Sequence, residues 1–128
     1  MSITESFSKY NHLEKKNTSE LLQIINDEDK KVALVIEQSL ELISELIDNI
    51  YNNMKSGGRL FYIGSGTPGR LGVVDASECP PTFGVSSNVV IGLIAGGDSA
   101  IRNSIEGAED DNSQAWEDLK KYNLTKND

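Results

Sequence analysis

The chain has 128 residues, 20 of them acidic and 12 basic, with a formal net charge of −8 and one cysteine. That length suits one modest domain, and the acidic balance argues against nucleic acid or an anionic membrane surface as the main partner. The lone Cys79 excludes an internal disulfide and fits a reducing compartment.

The start, "MSITESFSKYNHLEKK", lacks the basic and apolar regions of a signal peptide. No apolar run approaches the ~20 residues needed to cross a bilayer. The expectation is a soluble, cytoplasmic protein. Residues 1–17 are polar and aperiodic and read as an arm, residues 18–56 as a helical segment, and residues 57–128 as the first part of an α/β domain.

Thr18 or Ser19 is placed to cap a short helix through Ile25, with Glu20 in its first turn. Asn26 is placed to cap another, with Asp27, Glu28 and Asp29 at the positive end of its dipole. Ile36, Leu40, Ile43, Ile47, Ile50 and Met54 then alternate spacings of four and three, and Val32 extends the stripe upstream. This predicts one amphipathic helix of about six turns, ended by Ser56–Gly58. Packing on the chain's own core accounts for the stripe; Leu42, Leu46 and Tyr51 widen it enough for a partner subunit.

"RLFYIG" and "NVVIGLIAGG" (Asn88 to Gly97) read as buried strands. Neither alternates polar with apolar, as expected for parallel strands covered on both faces. A helix through "GRLGVVDASE" is expected between them, broken at Pro80 and Pro81. "DSAIRNSIEGAEDD" reads as a helix capped by Asp98, and "NSQAWEDLKKY" as another capped by Asn112 or Ser113. The order predicts an α/β fold, a parallel sheet flanked by helices with right-handed crossovers. Two strands rarely make an independent sheet, so the 128 residues read as the front of a longer domain, truncated after the second strand.

"GSGTPGRLG" occupies the turn after the first strand, the usual ligand position in such sheets. Ser65 and Thr67 offer hydroxyls, Gly66 and Gly69 bring backbone N–H groups, and a helix N-terminus comes next, a set suited to a phosphate. A glycine-rich turn that only closes a strand–helix unit fits the spacing equally well. Neither a dinucleotide fingerprint nor a Walker A loop is complete here. Arg70 is able to pair with an anion, although alone it reads as a surface arginine.

Glu78 and Glu109 are candidates for acid and base work, since different surroundings separate carboxyl pKa values. Spacing alone does not single them out among 20 acids. Cys79 has no evident histidine partner, His12 lies in the polar arm, and no metal cluster is visible.

"GGRLFYIGSGTPGRLGVVDASECPPTFG" resembles the signature of N-acetylmuramic acid 6-phosphate etherases, and "LLQIINDEDKKVA" and "IAGGDSAIRNSIEGAEDD" resemble the same family at matching places. The resemblance implies the sugar isomerase (SIS) fold, a phosphosugar substrate, a homodimer and no metal or organic cofactor. It implies elimination of D-lactate from the open-chain sugar, then hydration to N-acetylglucosamine 6-phosphate. By position, Glu78 matches the catalytic acid and Glu109 the second catalytic glutamate, acting as base. Ser65 to Gly69 match part of the sugar-phosphate site. Two departures stand out. Pro68 replaces a serine of the family loop, removing a hydroxyl and an N–H, and family members run much longer. The 128-residue chain alone is therefore expected to be inactive, with a non-catalytic phosphosugar-binding module as the alternative.

Overall fold

In a computed structural model, residues 6–111 and 113–128 are described. The chain falls into two units, one through Glu45 and one from Leu46 to Asp128.

The first unit is helical. After a 3₁₀ turn at Leu13–Lys15 comes α1 (Thr18–Glu37), one continuous helix. Its cap is Asn17, not Thr18 or Ser19. The Asn17 side chain accepts the Glu20 amide at 3.0 Å, and the Glu20 carboxylate accepts the Asn17 amide at 2.9 Å. This reciprocal capping box satisfies two amide donors at the helix terminus and fixes its start. No second helix begins at Asn26. Asp27 instead takes Lys30 at 3.1 Å and Glu28 takes Lys31 at 2.7 Å, pairs one turn apart within α1. From the N-terminal segment, Lys9 also reaches Glu28 (2.8 Å), and the Tyr10 hydroxyl donates to the same carboxylate. Lys31, Lys9 and Tyr10 together hold Glu28 down to about 2.

The expected six-turn helix is split. At Gln38–Ser39 the Ser39 amide turns back to the Ile36 carbonyl at 2.8 Å, and the Ser39 carbonyl receives Ile43 at 3.0 Å. This opens α2 (Leu40–Lys55). The apolar spacing stays in phase across the two-residue break, so periodicity does not reveal it. The predicted stop holds: Gly57 adopts a left-handed φ of 88° and donates to Met54.

The second unit is a parallel pair, β1 (Leu60–Gly64) with β2 (Val90–Ile94), in register from Leu60 opposite Val90 to Gly64 opposite Ile94. On one face lies α3 (Gly66–Phe83). Gly72 and Gly92 let it lie close. A Cβ on Gly92 would come within 2.6 Å of the Val73 Cα, and one on Gly72 within 2.7 Å of the Tyr62 Cβ. On the other face, the Phe61 ring meets Tyr122 edge-on at 5.5 Å, and Arg59 stacks over Phe61 at 5.0 Å. Arg59 also grips Asp128, with Nη2 2.7 Å and Nε 2.9 Å from the carboxylate, whose side chain is only 4% exposed. The pairing pushes the Asp128 carboxyl well below its usual range. An apolar hollow of about 390 Å³ remains among β1, the later turns of α2 and the C-terminal segment. Coverage is accordingly uneven: Val90, Ile91 and Ile94 of β2 are buried, whereas Ile63 of β1 is 46% exposed. The expectation of strands covered on both faces fits β2 and not β1.

Two helices differ from expectation. Pro80 and Pro81 lie inside α3, which runs on to Phe83. A proline φ is already helical; what is lost is the N–H due to the carbonyls of Ala76 and Ser77, one turn back. With only two residues left, that loss is local, and Gly84 at φ 67° closes the helix by donating to Pro80 at 2.9 Å. After β2, α4 is only Ser99–Arg102. Asp98 precedes it without a side-chain cap bond; Asn103 then turns extended, and Gly107 takes a φ of 75°. The last helix, α5 (Gln114–Lys120), begins after Ser113. Its capping acceptor is Asp111, which takes the Ser113 hydroxyl (2.7 Å) and the Ser113 and Gln114 amides. Asn112, the other expected cap, lies outside the described residues.

Candidate functional site

The C-terminal ends of β1 and β2 close together, with the Ala95 amide donating to the Gly64 carbonyl at 2.9 Å. Immediately beyond, α3 begins. Its first main-chain bond runs from Gly69 to Ser65 at 3.2 Å, so the amides of Gly66 and Thr67 have no helical partner. The Ser65 hydroxyl makes no capping bond, and no acidic residue stands in the first turn. The helix dipole therefore leaves uncompensated positive potential here, which favours an anion. Pro68 falls in this first turn, where its missing N–H would have had no helical partner. It removes no helical hydrogen bond, although its ring disfavours the helical backbone of Thr67, and it removes one donor that a ligand could use.

Opposite this turn runs the segment after α4. Between them lies a hollow of about 270 Å³ lined by Ser65, Gly66, Arg70, Ser104, Glu106 and Glu109, among others. A second, of about 260 Å³, shares Ser65, Ala95, Ala108 and Glu109 and extends toward Asp111 and Asp118. Asp111 is occupied in capping α5, and Asp118 pairs with Lys121 at 2.7 Å and with Gln114 at 3.0 Å. Lys121 and Gln114 hold the Asp118 carboxyl low, and the Ser113 hydroxyl does the same for Asp111. The first hollow carries Glu106 and Glu109 beside Arg70, so the first turn of α3 is the part of it that favours an anion.

Of the residues expected from sequence, Ser65, Gly66, Arg70 and Glu109 meet at these hollows. Thr67 is exposed and lines neither. Gly69 is buried, its amide spent on Ser65 and its Cα against β1 and Ile94. Glu78 is exposed on α3, about 18 Å along the axis from Gly66 at 1.5 Å per residue, and does not meet Glu109 within this chain. Sequence reasoning missed Ser104, Glu106 and Ala108. The signal for them was Gly107, at positive φ where a helix was expected; Gly96 and Gly97, also at positive φ, turn the chain out of β2 where the strand was expected to continue. Among the described residues no group of three His, Cys, Asp or Glu is placed to hold a metal, and no helix is long and apolar enough to cross a membrane.

Residues 42–128 match the model of the glucokinase regulatory protein N-terminal SIS domain. The chain is 58% identical over 125 residues to the N-acetylmuramic acid 6-phosphate etherase of Christiangramia forsetii, covering 98% of this chain and 46% of that protein. It is 51% identical over 126 residues to the Bacteroides fragilis etherase, covering 98% and 45%. It is 55% identical over 116 residues to that of Caldanaerobacter subterraneus, covering 91% and 38%. The chain thus spans less than half the length of these curated relatives. It belongs to the glucokinase regulatory protein N-terminal SIS domain family, and the relatives it matches are etherases.

Proposed function

We propose that this chain supplies part of the site of an N-acetylmuramic acid 6-phosphate etherase in the cytoplasm, acting in the recycling of cell-wall sugar. The observation that carries the reading is the hollow joining the first turn of α3 to Glu109. The sugar phosphate would lie toward the first turn of α3, at Ser65 and Gly66, with Thr67 and Gly69 completing the loop, and away from the acids around Asp111. In the open-chain sugar, Glu109 takes the C2 proton, which the neighbouring aldehyde acidifies. The C3–O bond breaks, its electron pair leaves with the lactyl oxygen, and Glu78 supplies the proton to that oxygen. Water then adds at C3 of the unsaturated aldehyde.

Glu78 lines neither of the hollows that hold Glu109 within one chain. A homodimer in which Glu78 of one copy approaches the hollow of the other would supply the acid. The exposed apolar residues of α2, including Leu42 and Leu46, suit such an association. Because the chain covers 46% of the Christiangramia relative, the activity is assigned to a protein longer than these residues, and the 128-residue chain alone is expected to be inactive.

The test is release of D-lactate from N-acetylmuramic acid 6-phosphate by the native gene product, with its intact mass measured alongside. Release by a product about twice the 14.0 kDa of this chain supports the reading. No release by such a product refutes it. Release by the 128-residue chain alone would overturn the assignment to a longer protein. A non-catalytic phosphosugar-binding module is the second reading, favoured by Pro68 and by the separation of Glu78 from the hollow. Saturable binding of the phosphosugar without lactate release would select it.

A further inference from the structure

Arg70 lines the candidate site, yet two of its donors are already engaged by main chain. Its Nε donates to the Ile101 carbonyl at 2.9 Å and its Nη2 to the Asn103 carbonyl at 3.3 Å. Both carbonyls belong to the end of α4 and the residue immediately after it. Arg70 itself stands on the second turn of α3, a helix seated on the sheet by close contacts at Gly69, Gly72 and Gly92. The guanidinium therefore links a rigid element to the point where the chain leaves α4.

That exit point sets the course of residues 104–109. Asn103 is extended, at φ −123° and ψ 147°, and leads into the stretch from Ser104 to Glu109 along the hollow. Asn103 is tied back by its amide to Ser99 at 3.1 Å, and the next main-chain bond is Asp110 to Gly107 at 3.2 Å. Between those two, no main-chain hydrogen bond fixes the segment among the described residues.

We infer that Arg70 is a positioning residue: by holding the Ile101 and Asn103 carbonyls it sets where Glu109 stands in the hollow. This rests on Glu109 acting there as the base. A planar fork with donors at fixed angles spans two carbonyls; a single ammonium does not reproduce it. Lysine at this position keeps the charge and loses the clamp, which separates the role from simple attraction of a phosphate.

Hydrogen exchange on the native gene product tests the clamp without substrate. In Arg70→Ala and Arg70→Lys, the hydrogen-bonded amides of Ile101, Asn103 and Asp110 are expected to exchange about tenfold faster, with β1 and β2 unchanged. On the lactate-releasing gene product, both variants are expected to lose roughly 10- to 100-fold in kcat with KM altered by less than about threefold. Should Arg70→Ala fail to fold, Arg70→Lys carries both readouts. Unchanged exchange at 101–110 in the folded variants overturns the inference. So does a raised KM with kcat intact and near-normal behaviour in Arg70→Lys, which would make Arg70 a phosphate contact. If the wild-type product releases no lactate, the etherase reading fails and the exchange result alone decides the clamp.

Discussion

Along the seam between α3 and the parallel pair, Gly64, Gly69, Gly72 and Gly92 each stand so close to neighbouring atoms that a Cβ would fall within 3.0 Å of one. The buried residues Ala76, Val90, Ile91 and Ile94 lie on these elements. α1 and α2 present the opposite case: neither buries a residue, and Leu22, Val35, Leu42 and Leu46 are all more than half exposed. The first region is fixed by steric fit at the backbone. The second is held by local terms, namely a capping box, paired charges one turn apart and helix propensity. The candidate site stands at the end of the steric seam. Substitutions should therefore cost more along the seam than on the first two helices.

The largest effect is expected at Gly92. A Cβ there meets the Val73 Cα at 2.6 Å and its amide nitrogen at 2.9 Å, main-chain atoms that cannot rotate away. Gly92→Ala should destabilise the second unit by about 3 kcal/mol, the upper part of the range for overpacking. For a unit of this size that is a fall in Tm of roughly 10–20 °C, read by thermal unfolding. An unchanged Tm would show that α3 does not rest on the sheet as closely as described.

A second loss is expected at the Arg59–Asp128 contact, where the carboxylate also takes the Thr125 amide at 2.7 Å and the Arg59 amide at 2.9 Å. Because the Asp128 pKa is depressed in the folded chain, its contribution is fully present above the ordinary aspartate value of about 3.9 and fades as pH falls below it. Asp128→Asn should be less stable than wild type at pH 7, and the gap should narrow from about pH 4 downward in urea titrations. Glu28, held at about 2, predicts the same direction for the first unit: a stabilising contribution lost between about pH 4 and pH 2. A gap independent of pH would mean that the ion pairs contribute nothing.

Removing the cap of α1 should cost less. Asn17→Ala deletes the acceptor for the Glu20 amide, a change worth about 1 kcal/mol. Faster amide exchange confined to the first turn of α1 would register it, with the second unit unaffected.

The strands were legible because each is a short apolar run bounded by glycine. The loop after β1 was legible because hydroxyls and glycines cluster at a strand end. Other features depend on information that residue spacing does not carry. Asn17 outcompetes Thr18 as cap because Glu20 answers it reciprocally, and the break at Gln38–Ser39 leaves the apolar phase intact. Pro80 and Pro81 are tolerated because α3 ends two residues later. The "DSAIRNSIEGAEDD" stretch has helical composition, but Gly107 at positive φ and the extended Asn103 take the chain out of the helix after Arg102. Of the site, Ser65 was read from the hydroxyls and glycines that follow the first strand, Glu109 was singled out by family resemblance, and the two meet in space. Glu78 was found the same way and stands elsewhere on α3, a separation that sequence order alone does not express.

The smallest effect on stability is expected on the exposed stripe of α2, and there it is most informative. Leu42 is 71% exposed, so replacing it by lysine removes little buried area within the chain. Leu42→Lys should change unfolding free energy by less than about 0.5 kcal/mol, as for surface positions generally. If α2 meets a second copy, the same change puts a charge into an apolar contact, where an unpaired ammonium is costly to desolvate. Sedimentation should then show dissociation of the native gene product at concentrations where wild type is dimeric, with helix content intact. Loss of stability and association together would mean that Leu42 packs within its own chain. Loss of neither would remove α2 from the subunit contact, leaving the approach of Glu78 to a second hollow to be sought on another face.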